Sequence, residues 1–289
     1  MPQPIQSFYK NSVLKLNAIY SVEEARAMVD RLFGHFFNLT PVQRVMAGST
    51  EVNSDGLTLI EEAIDKLLLH VPLQYVTGKA FFMEMEFSVN PSVLIPRPET
   101  EELVSLILKD LSRRKTPQNL RILDIGTGSG CISVALKHNL PEAKVIAIDI
   151  SDDALAVAMK NAEKNKTEVE FIMLNILDDS QWSVLPQFDV IVSNPPYVTQ
   201  SEKLLMQSNV LDNEPHIALF VPDDDPLIFY RSIVRFAYTH VCSGGICAFE
   251  INELFGKEMG LLFDEKYYTG IKFLTDINGK NRFVFVEKL

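Results

Sequence analysis

Apolar positions in the first seventy residues recur at the spacing of an α-helix. One stripe begins at Val22, directly after Ser21, which forms a capping box with Glu24. A later stripe ends shortly before Pro72, which cannot continue a helix. The pattern therefore predicts a small helical domain over residues 1–72. The apolar residues of the two stripes are Val22, Ala25, Val29, Leu32, Phe33 and Phe36, and then Leu57, Ile60, Ile64, Leu67 and Leu68.

The sequence then becomes aromatic, β-branched and punctuated by proline. Four large apolar residues stand near strict alternation, which is typical of strands with one buried face. This segment predicts a β-hairpin linker over residues 73–98. The alternating residues are Phe81, Phe82, Phe87 and Val89.

Beyond residue 98, apolar runs rich in β-branched residues alternate with helical segments. Such runs are typical of strands buried in a parallel sheet, and the alternation predicts a doubly wound α/β domain over residues 99–289. The strands are predicted at residues 121–125, 144–150, 169–174, 188–193 and 246–251. The chain ends differently, because residues 271–276 and 282–287 flank Asn278-Gly279, a dipeptide typical of hairpin turns. A mainly parallel, Rossmann-like sheet with a C-terminal antiparallel hairpin resembles class I S-adenosylmethionine-dependent methyltransferases.

Composition narrows the classes of partner. The 289-residue chain has a net charge of −11, which argues against a broad nucleic-acid interface because phosphate affinity grows with Lys and Arg contacts. Apolar runs are too short for a membrane helix and no basic, apolar leader is present, so we expect a cytoplasmic protein. Cys131, Cys242 and Cys247 form no Cys-x-x-Cys pair, and the histidines lack metal-ligand spacing. We therefore expect neither a disulfide nor a bound metal.

A glycine-rich turn stands where the first predicted strand meets a helix. Residues 123–130 read Leu-Asp-Ile-Gly-Thr-Gly-Ser-Gly, and the glycines let the backbone approach a ligand closely. Asp149 ends the second predicted strand, where a carboxylate can accept hydrogen bonds from both ribose hydroxyls of an adenosine. Taken singly, a glycine-rich turn and an Asp at a strand end are common features of loops, but their joint placement indicates a nucleoside cofactor. Cys131 stands where a dinucleotide fingerprint requires its third glycine, which disfavours NAD.

Asn194, Pro195, Pro196 and Tyr197 follow directly after the strand predicted at residues 188–193. They lie at the carboxyl edge of the sheet, where doubly wound folds bind ligands. The side-chain oxygen of Asn194 and the carbonyl of Pro195 can accept hydrogen bonds from both N–H groups of a planar amide or aromatic amine. Such contacts orient the nitrogen towards a sulfonium methyl, and Tyr197 can pack against the planar group. The motif thus predicts methyl transfer to nitrogen without a strong general base.

Together these motifs resemble the release factor glutamine methyltransferases, the HemK/PrmC type, along nearly the whole chain. Residues 74–78 read Gln-Tyr-Val-Thr-Gly and residues 93–101 read Val-Leu-Ile-Pro-Arg-Pro-Glu-Thr-Glu, similar to a signature that general adenine methyltransferases lack. The resemblance implies S-adenosylmethionine as the cofactor and S-adenosylhomocysteine as its product. It implies, as substrate, the glutamine of a Gly-Gly-Gln loop in class 1 peptide chain release factors, docked by the N-terminal helices.

The resemblance also implies roles for single residues. Arg97 and Glu99 would form substrate or interdomain hydrogen bonds, with a surface ion pair as the alternative. Trp182 would contact the cofactor, with packing as the alternative. Residues 221–226, Val-Pro-Asp-Asp-Asp-Pro, replace an expected glycine-rich stretch, so this loop either alters substrate contacts or is a solvated turn. The implied cofactor residues are Gly126, Thr127, Gly128, Ser129, Gly130, Asp149, Trp182 and Asn194, and the glutamine would be received by Asn194, Pro195, Pro196 and Tyr197.

Three other functions stay open at this point. A flipped adenine would present a similar planar NH₂ group to the Asn-Pro-Pro-Tyr motif, so a DNA or RNA adenine methyltransferase is the nearest alternative, although the net charge counts against it. A noncatalytic adaptor on a methyltransferase fold is another, disfavoured by the intact glycine turn, Asp149 and Asn194. A nicotinamide oxidoreductase is disfavoured by the missing third glycine and the terminal hairpin.

Overall fold

The computed structural model describes residues 4–51, 54–114 and 119–289. The chain forms two compact units: the first comprises Met1–Gly78 and Gln207–Asn213, and the second Lys79–Met206 and Glu214–Leu289. Of the predicted helical domain, residues 1–3, 52 and 53 lie outside the described residues.

Helices and strands are numbered here in chain order. Helices α1 to α5 are Ile5–Leu16, Val22–Phe37, Pro41–Met46, Ser54–Leu68 and Leu73–Thr77. Helices α6 to α11 are Pro98–Leu111, Cys131–Asn139, Asp152–Lys164, Ser208–Leu211, Ile228–His240 and Gly256–Gly260. Strands β1 to β6 are Lys79–Phe82, Met85–Ser88, Arg121–Ile125, Lys144–Asp149, Val169–Met173 and Phe188–Ser193. Strands β7 to β11 are Val198–Thr199, Phe220–Val221, Val241–Glu250, Tyr268–Thr275 and Asn281–Lys288.

The first unit is helical, in agreement with the apolar spacing. Helix α2 begins at the predicted capping box, in which Ser21 Oγ accepts a hydrogen bond from Glu24 N and Glu24 Oε2 accepts one from Ser21 N. These bonds satisfy two of the N–H groups that a helix start leaves unpaired. The stripes of α2 and α4 then meet in one core with residues of α1.

The segment after Pro72 corrects the predicted boundary. Leu73–Thr77 form the short helix α5, for which Pro72 is the N-cap, and Gly78 ends it with a φ of 66°. The sequence analysis assigned these residues to the hairpin linker. A helix of 5 residues is too short to show the repeated spacing that identifies a longer helix.

The hairpin is part of the core of the second unit, which the linker prediction did not anticipate. Strands β1 and β2 pair antiparallel. Phe82 and Phe87 are fully buried and pack in one cluster with Leu103 and Ile107 of α6. Phe81 points to the other face and is 69% exposed. The alternation therefore predicted the strands, but it carried no information about what covers them.

The main sheet confirms the predicted arrangement. Its strand order is β10-β11-β9-β6-β3-β4-β5. Strands β5, β4, β3, β6 and β9 are mutually parallel, and β11 runs antiparallel to both β9 and β10. Two details differ from the prediction. Strand β5 is only partly buried, because it lies at the edge of the sheet. Strand β9 begins at Val241, earlier than predicted. The prediction began at residue 246 because the glycines at residues 244 and 245 interrupt the apolar run.

The point at which the strand order reverses lies beside β3. Strands β4 and β5 follow it on one side, whereas β6 lies on the other. Ile125 and Ser193 are paired neighbours at the carboxyl ends of β3 and β6, and Ser193 Oγ donates to the Ile125 carbonyl at 2.7 Å. A reversal of this kind opens a crevice at the carboxyl ends of the strands. The glycine-rich turn after β3 and Asn194 after β6 therefore flank one crevice.

The described residues include no helix that is both long and apolar enough to cross a bilayer. Cys131, Cys242 and Cys247 are free thiols. Burial raises the pKa of Cys131 and of Cys247 to about 12, so both are protonated and unreactive at neutral pH.

Candidate active site

A cavity of about 340 Å³ lies at the carboxyl ends of β3, β4 and β6, in the size range of small-ligand pockets. The structure brings several of the predicted site residues together on its wall: Gly126, Gly128, Asp149, Asn194, Pro195 and Pro196. Much of the remaining wall is apolar, including Ile150, Leu174, Ile176, Leu177, Ile217 and Phe229. The cavity wall is therefore mainly apolar, with a few polar groups.

The three glycines of the turn have different surroundings. All have positive φ, 73° at Gly126, 54° at Gly128 and 79° at Gly130. A Cβ added to Gly126 or Gly128 would meet no atom within 4 Å, so a ligand can approach the backbone there. A Cβ on Gly130 would lie 3.0 Å from the Ala158 Cβ. Gly130 thus permits close packing of α7 against α8 and does not line the cavity.

Thr127 and Ser129 are buried and do not line the cavity. Thr127 Oγ1 donates to Asp124 Oδ2 at 2.6 Å, and Ser133 N donates to the same oxygen at 3.1 Å. The carbonyl of Ser129 accepts from Asn161 Nδ2 at 2.9 Å. Asp124 is fully buried, and burial raises its pKa to about 6. The sequence analysis did not single out Asp124.

The Asp149 carboxylate is hydrogen-bonded to the backbone of the glycine-rich turn. Its Oδ2 accepts from Gly128 N at 2.8 Å and its Oδ1 accepts from Ser151 N at 3.0 Å. Burial raises the pKa of this carboxyl group, and the backbone N–H donors counteract the shift. Because each carboxylate oxygen can accept about two hydrogen bonds, both oxygens keep capacity for a ligand. Asp149 can therefore accept hydrogen bonds from a ligand with neighbouring hydroxyl groups.

Asn194 and Tyr197 are connected by a buried hydrogen-bond chain. Asn194 Nδ2 donates to Thr100 Oγ1 at 3.0 Å, and Thr100 Oγ1 donates to Glu250 Oε2 at 2.7 Å. Tyr197 OH donates to Glu250 Oε1 at 3.0 Å. Thr100 and Glu250 are 3% and 1% exposed. Tyr197 does not line the cavity. Its hydroxyl group instead holds the motif in place through the hydrogen bond to Glu250.

Sequence reasoning missed Thr100 and Glu250 as site residues. Thr100 was quoted only as part of the family signature, and Glu250 only as a position inside a predicted strand. One signal was available: Glu250 is an acidic residue at the carboxyl end of an apolar strand, as Asp149 is. Burial raises the pKa of Glu250, whereas the hydroxyls of Thr100 and Tyr197 lower it.

Arg97 pairs with Glu214, to which the sequence analysis gave no role. Its Nη2 lies 2.5 Å from Glu214 Oε1, and Ile95 N donates to Glu214 Oε2 at 3.1 Å. Glu214 is 4% exposed and Arg97 is partly buried, so this pair is not the surface ion pair with Glu99 that was considered. Arg97 and Glu99 do not line the cavity, and their substrate role stays a prediction.

Trp182 is packed in the core. It is 8% exposed, its ring meets that of Phe236 edge-on at 5.4 Å, and its Nε1 donates to the Ile176 carbonyl at 3.1 Å. It does not line the cavity, whereas Ile176 does. The structure therefore favours the packing interpretation of Trp182 over a cofactor contact.

The acidic loop over residues 221–226 is tied to its own unit. Asp223 Oδ1 accepts from Ser201 N at 2.9 Å, and Asp225 forms an ion pair with Arg231. Residues 222–224 are exposed. These contacts fit a solvated turn, one of the two interpretations drawn from the sequence.

Two solved methyltransferase structures share this fold. One from Pyrococcus furiosus superposes with a TM-score of 0.52 at 17% identity, over 79% of this chain and 98% of that one. A 16S rRNA N2 G1207 methyltransferase from T. thermophilus, in complex with AdoMet and guanosine, gives 0.51 at 18% identity, over 73% of this chain and 50% of that one. At these identities the likeness shows the fold alone.

Sequence comparisons identify the family. The model of the methyltransferase small domain matches residues 101–215, and that of the PrmC N-terminal domain matches residues 10–78. The release factor glutamine methyltransferase of Flavobacterium psychrophilum is 40% identical over 98% of this chain and 99% of its own. That of Bacteroides thetaiotaomicron is 42% identical over 94% and 96%. The resemblance seen in the sequence is thereby confirmed, and the chain belongs to the release factor glutamine methyltransferase family.

Proposed function

We propose that this enzyme transfers a methyl group from S-adenosylmethionine to the side-chain amide nitrogen of the glutamine in the Gly-Gly-Gln loop of class 1 peptide chain release factors. The observation that carries the proposal is a single cavity joining the glycine-rich turn, Asp149 and Asn194. The family supports the choice of substrate, since its named members are release factor glutamine methyltransferases.

The cavity wall fits S-adenosylmethionine. Asp149 would accept hydrogen bonds from the two ribose hydroxyls, and the space beside Gly126 and Gly128 admits a ligand against the backbone. Ile150 and Leu177 supply apolar surface for a flat base. When bound, the cofactor supplies an electrophilic methyl group. Trp182 has no part in this proposal, because its ring is packed in the core.

Asn194 and Pro195 would receive the glutamine side chain. An amide nitrogen is a poor nucleophile, and it carries two N–H groups that need acceptors in a desolvated site. The Asn194 side-chain oxygen and the Pro195 carbonyl provide one acceptor each. They fix the orientation of the nitrogen for in-line displacement, and such positioning is the main catalytic contribution expected from the protein. Pro196 shapes the wall of the cavity, and Tyr197 holds the motif in place.

The first unit would dock the release factor. Its match to the PrmC N-terminal domain over residues 10–78 supports a role that general methyltransferases do not need. The proposed reaction serves translation termination and so takes place in the cytoplasm. Nucleic acid is not a proposed substrate, in line with the net charge of −11.

The test is to incubate the purified enzyme with methyl-labelled S-adenosylmethionine and a class 1 release factor, and then to map the label by peptide mass spectrometry. We expect one methyl group on the glutamine of the Gly-Gly-Gln loop. A release factor with alanine in place of that glutamine is the matched control and should stay unlabelled. Label on nucleic acid instead would favour an adenine methyltransferase. Failure to bind S-adenosylmethionine in calorimetry would favour a noncatalytic adaptor.

A further inference from the structure

We propose that Thr100 and Glu250 are positioning residues that fix which way the side-chain amide of Asn194 faces. The inference rests on the proposed function, because only a substrate that donates N–H groups requires the Asn194 oxygen at the cavity. An asparagine amide can be turned by 180° with little change in shape, and this exchanges its acceptor for two donors. Something must therefore select the productive orientation.

The selection begins at Glu250. This carboxylate is 1% exposed, and each of its oxygens accepts a hydrogen bond from a hydroxyl, Oε2 from Thr100 and Oε1 from Tyr197. An ionised carboxylate carries no proton, so it can only accept. The hydroxyl hydrogen of Thr100 is therefore directed at Glu250.

The direction of the Thr100 hydroxyl then determines the orientation of the Asn194 amide. A threonine hydroxyl has one hydrogen, and Thr100 has already donated its own, so the Thr100 oxygen can only accept from its other neighbour. The Asn194 side-chain nitrogen lies 3.0 Å from that oxygen and donates to it. A turned amide would place two acceptors against each other at this distance, with no hydrogen between them. The chain thus leaves the Asn194 oxygen free for the substrate.

A turned amide would also fail at the substrate. Its NH₂ group would meet the N–H groups of the glutamine, donor against donor, and one substrate hydrogen would lose its acceptor in a desolvated site. Two independent penalties therefore fall on the same wrong orientation. The hydroxyl groups of Thr100 and Tyr197, which donate to the Glu250 carboxylate, offset part of the cost of burying it.

The first variant is Thr100→Val, which keeps the shape of the side chain and removes the hydroxyl. We expect kcat for the release factor to fall about 10-fold to 100-fold, in the range of a lost orienting contact, while the Kd for S-adenosylmethionine stays within about 2-fold. Thr269→Val is the matched control, because Thr269 is exposed on β10 and the chemical change is the same. Thermal melting verifies that both variants fold.

Two further variants separate orientation from packing. Glu250→Gln gives the buried position a donor, so the hydroxyl of Thr100 can turn towards Asn194, and turnover should fall as in Thr100→Val. Thr100→Ser restores the hydroxyl and should recover most of the turnover. In an Asn194→Ala background, Thr100→Val should cause no additional loss, because there is no amide left to orient. A loss of equal size in that background would overturn the inference.

One readout needs no substrate. The side-chain NH₂ signals of Asn194 can be assigned in nuclear magnetic resonance spectra by their absence in Asn194→Ala. In Thr100→Val these signals should shift and exchange faster with solvent, whereas in Thr269→Val they should not change. If wild-type enzyme fails to methylate the release factor but the signals respond as expected, the proposed function is wrong and the positioning stands. If wild type is active and Thr100→Val matches it in turnover and signals, the positioning inference is wrong.

Discussion

Single residues in the crevice divide into those that meet a ligand and those that hold other residues in place. Gly126 and Gly128 border open space, whereas Gly130 is pressed against a helix. Asn194 lines the cavity, whereas Tyr197 supports it from behind. Substitutions of similar chemistry should therefore separate an effect on binding or turnover from an effect on folding.

Asn194→Ala should lower turnover about 100-fold or more, in the range seen when one well-aimed polar contact of an active site is removed. The fold should survive, because the Asn194 side chain is only partly buried and makes one side-chain hydrogen bond, to Thr100. The measurement is kcat with the release factor, alongside circular dichroism and cofactor calorimetry. Near wild-type turnover in a folded variant would remove Asn194 from its proposed role.

Asp124 should make stability depend on pH. Its pKa is about 6 in the folded protein and about 3.9 in an unfolded chain. Between these values the native state binds more protons, so the free energy of unfolding falls as pH rises through this window, by on the order of 1–3 kcal/mol. Asp124→Asn keeps the shape and lacks the charge, so its stability relative to wild type should increase from pH 4 to pH 7. Urea unfolding at several pH values measures this, and parallel curves for the two proteins would contradict it.

Whole elements set where these residues meet. The reversal of strand order beside β3 places the ends of β3 and β6 together, and the hydrogen bond from Ser193 to Ile125 joins them. The turn after β3 must also let α7 approach α8 closely, and this is the function of Gly130. The geometry of the crevice thus depends on helix packing as much as on the motif residues.

Gly130→Ala should therefore destabilise the fold without touching the cavity. A Cβ would lie 3.0 Å from Ala158, and alanine at positive φ is itself strained, so we expect a loss of about 1–3 kcal/mol in the free energy of unfolding. Gly128→Ala carries the φ strain but meets no atom within 4 Å. Its larger effect should be on S-adenosylmethionine affinity, because the methyl group enters the space a ligand would use. Denaturant unfolding measures the stability of both variants, and calorimetry measures their affinity for S-adenosylmethionine. Equal losses of stability and of affinity in the two variants would contradict the prediction.

The sequence predicted elements that have a local sequence signal and missed features that depend on contacts between distant residues. The strands of the sheet were predicted from apolar runs rich in β-branched residues, and the glycine turn and Asn194 from their places at strand ends. Helix α5 was missed because it is a single short segment between a proline and a glycine. The pairing of Thr100 with Glu250 spans 150 residues, and the hydrogen bond of Glu214 to Ile95 spans 119. No local periodicity encodes contacts of that range.

At the scale of the whole molecule, the cavity is contained in one unit. The described residues that line it all fall within Lys79–Met206 or Glu214–Leu289. The first unit contributes none of them, although it matches the N-terminal model of the family. Cofactor binding and partner docking should therefore be separable by experiment.

Deletion of residues 1–78 should leave S-adenosylmethionine binding within about 10-fold of wild type and lower kcat/KM for the release factor by more than about 10-fold, since remote binding surface contributes to transition-state stabilisation. A short peptide containing Gly-Gly-Gln provides the control, because it offers no docking surface and should be methylated equally by both proteins. Unchanged release factor methylation by the truncated enzyme would exclude docking by the first unit.

The segment Gln207–Asn213 limits how freely these units can be exchanged between relatives. It belongs to the first unit although it is encoded far downstream, and within that unit Asn213 Nδ2 donates to the His70 carbonyl at 3.2 Å. A chimera that replaces only the first 78 residues would pair a foreign helical unit with the original segment. Functional hybrids within this family will therefore require two grafts, the N-terminal residues together with Gln207–Asn213. The smallest unit that can be exchanged is thus discontinuous in sequence.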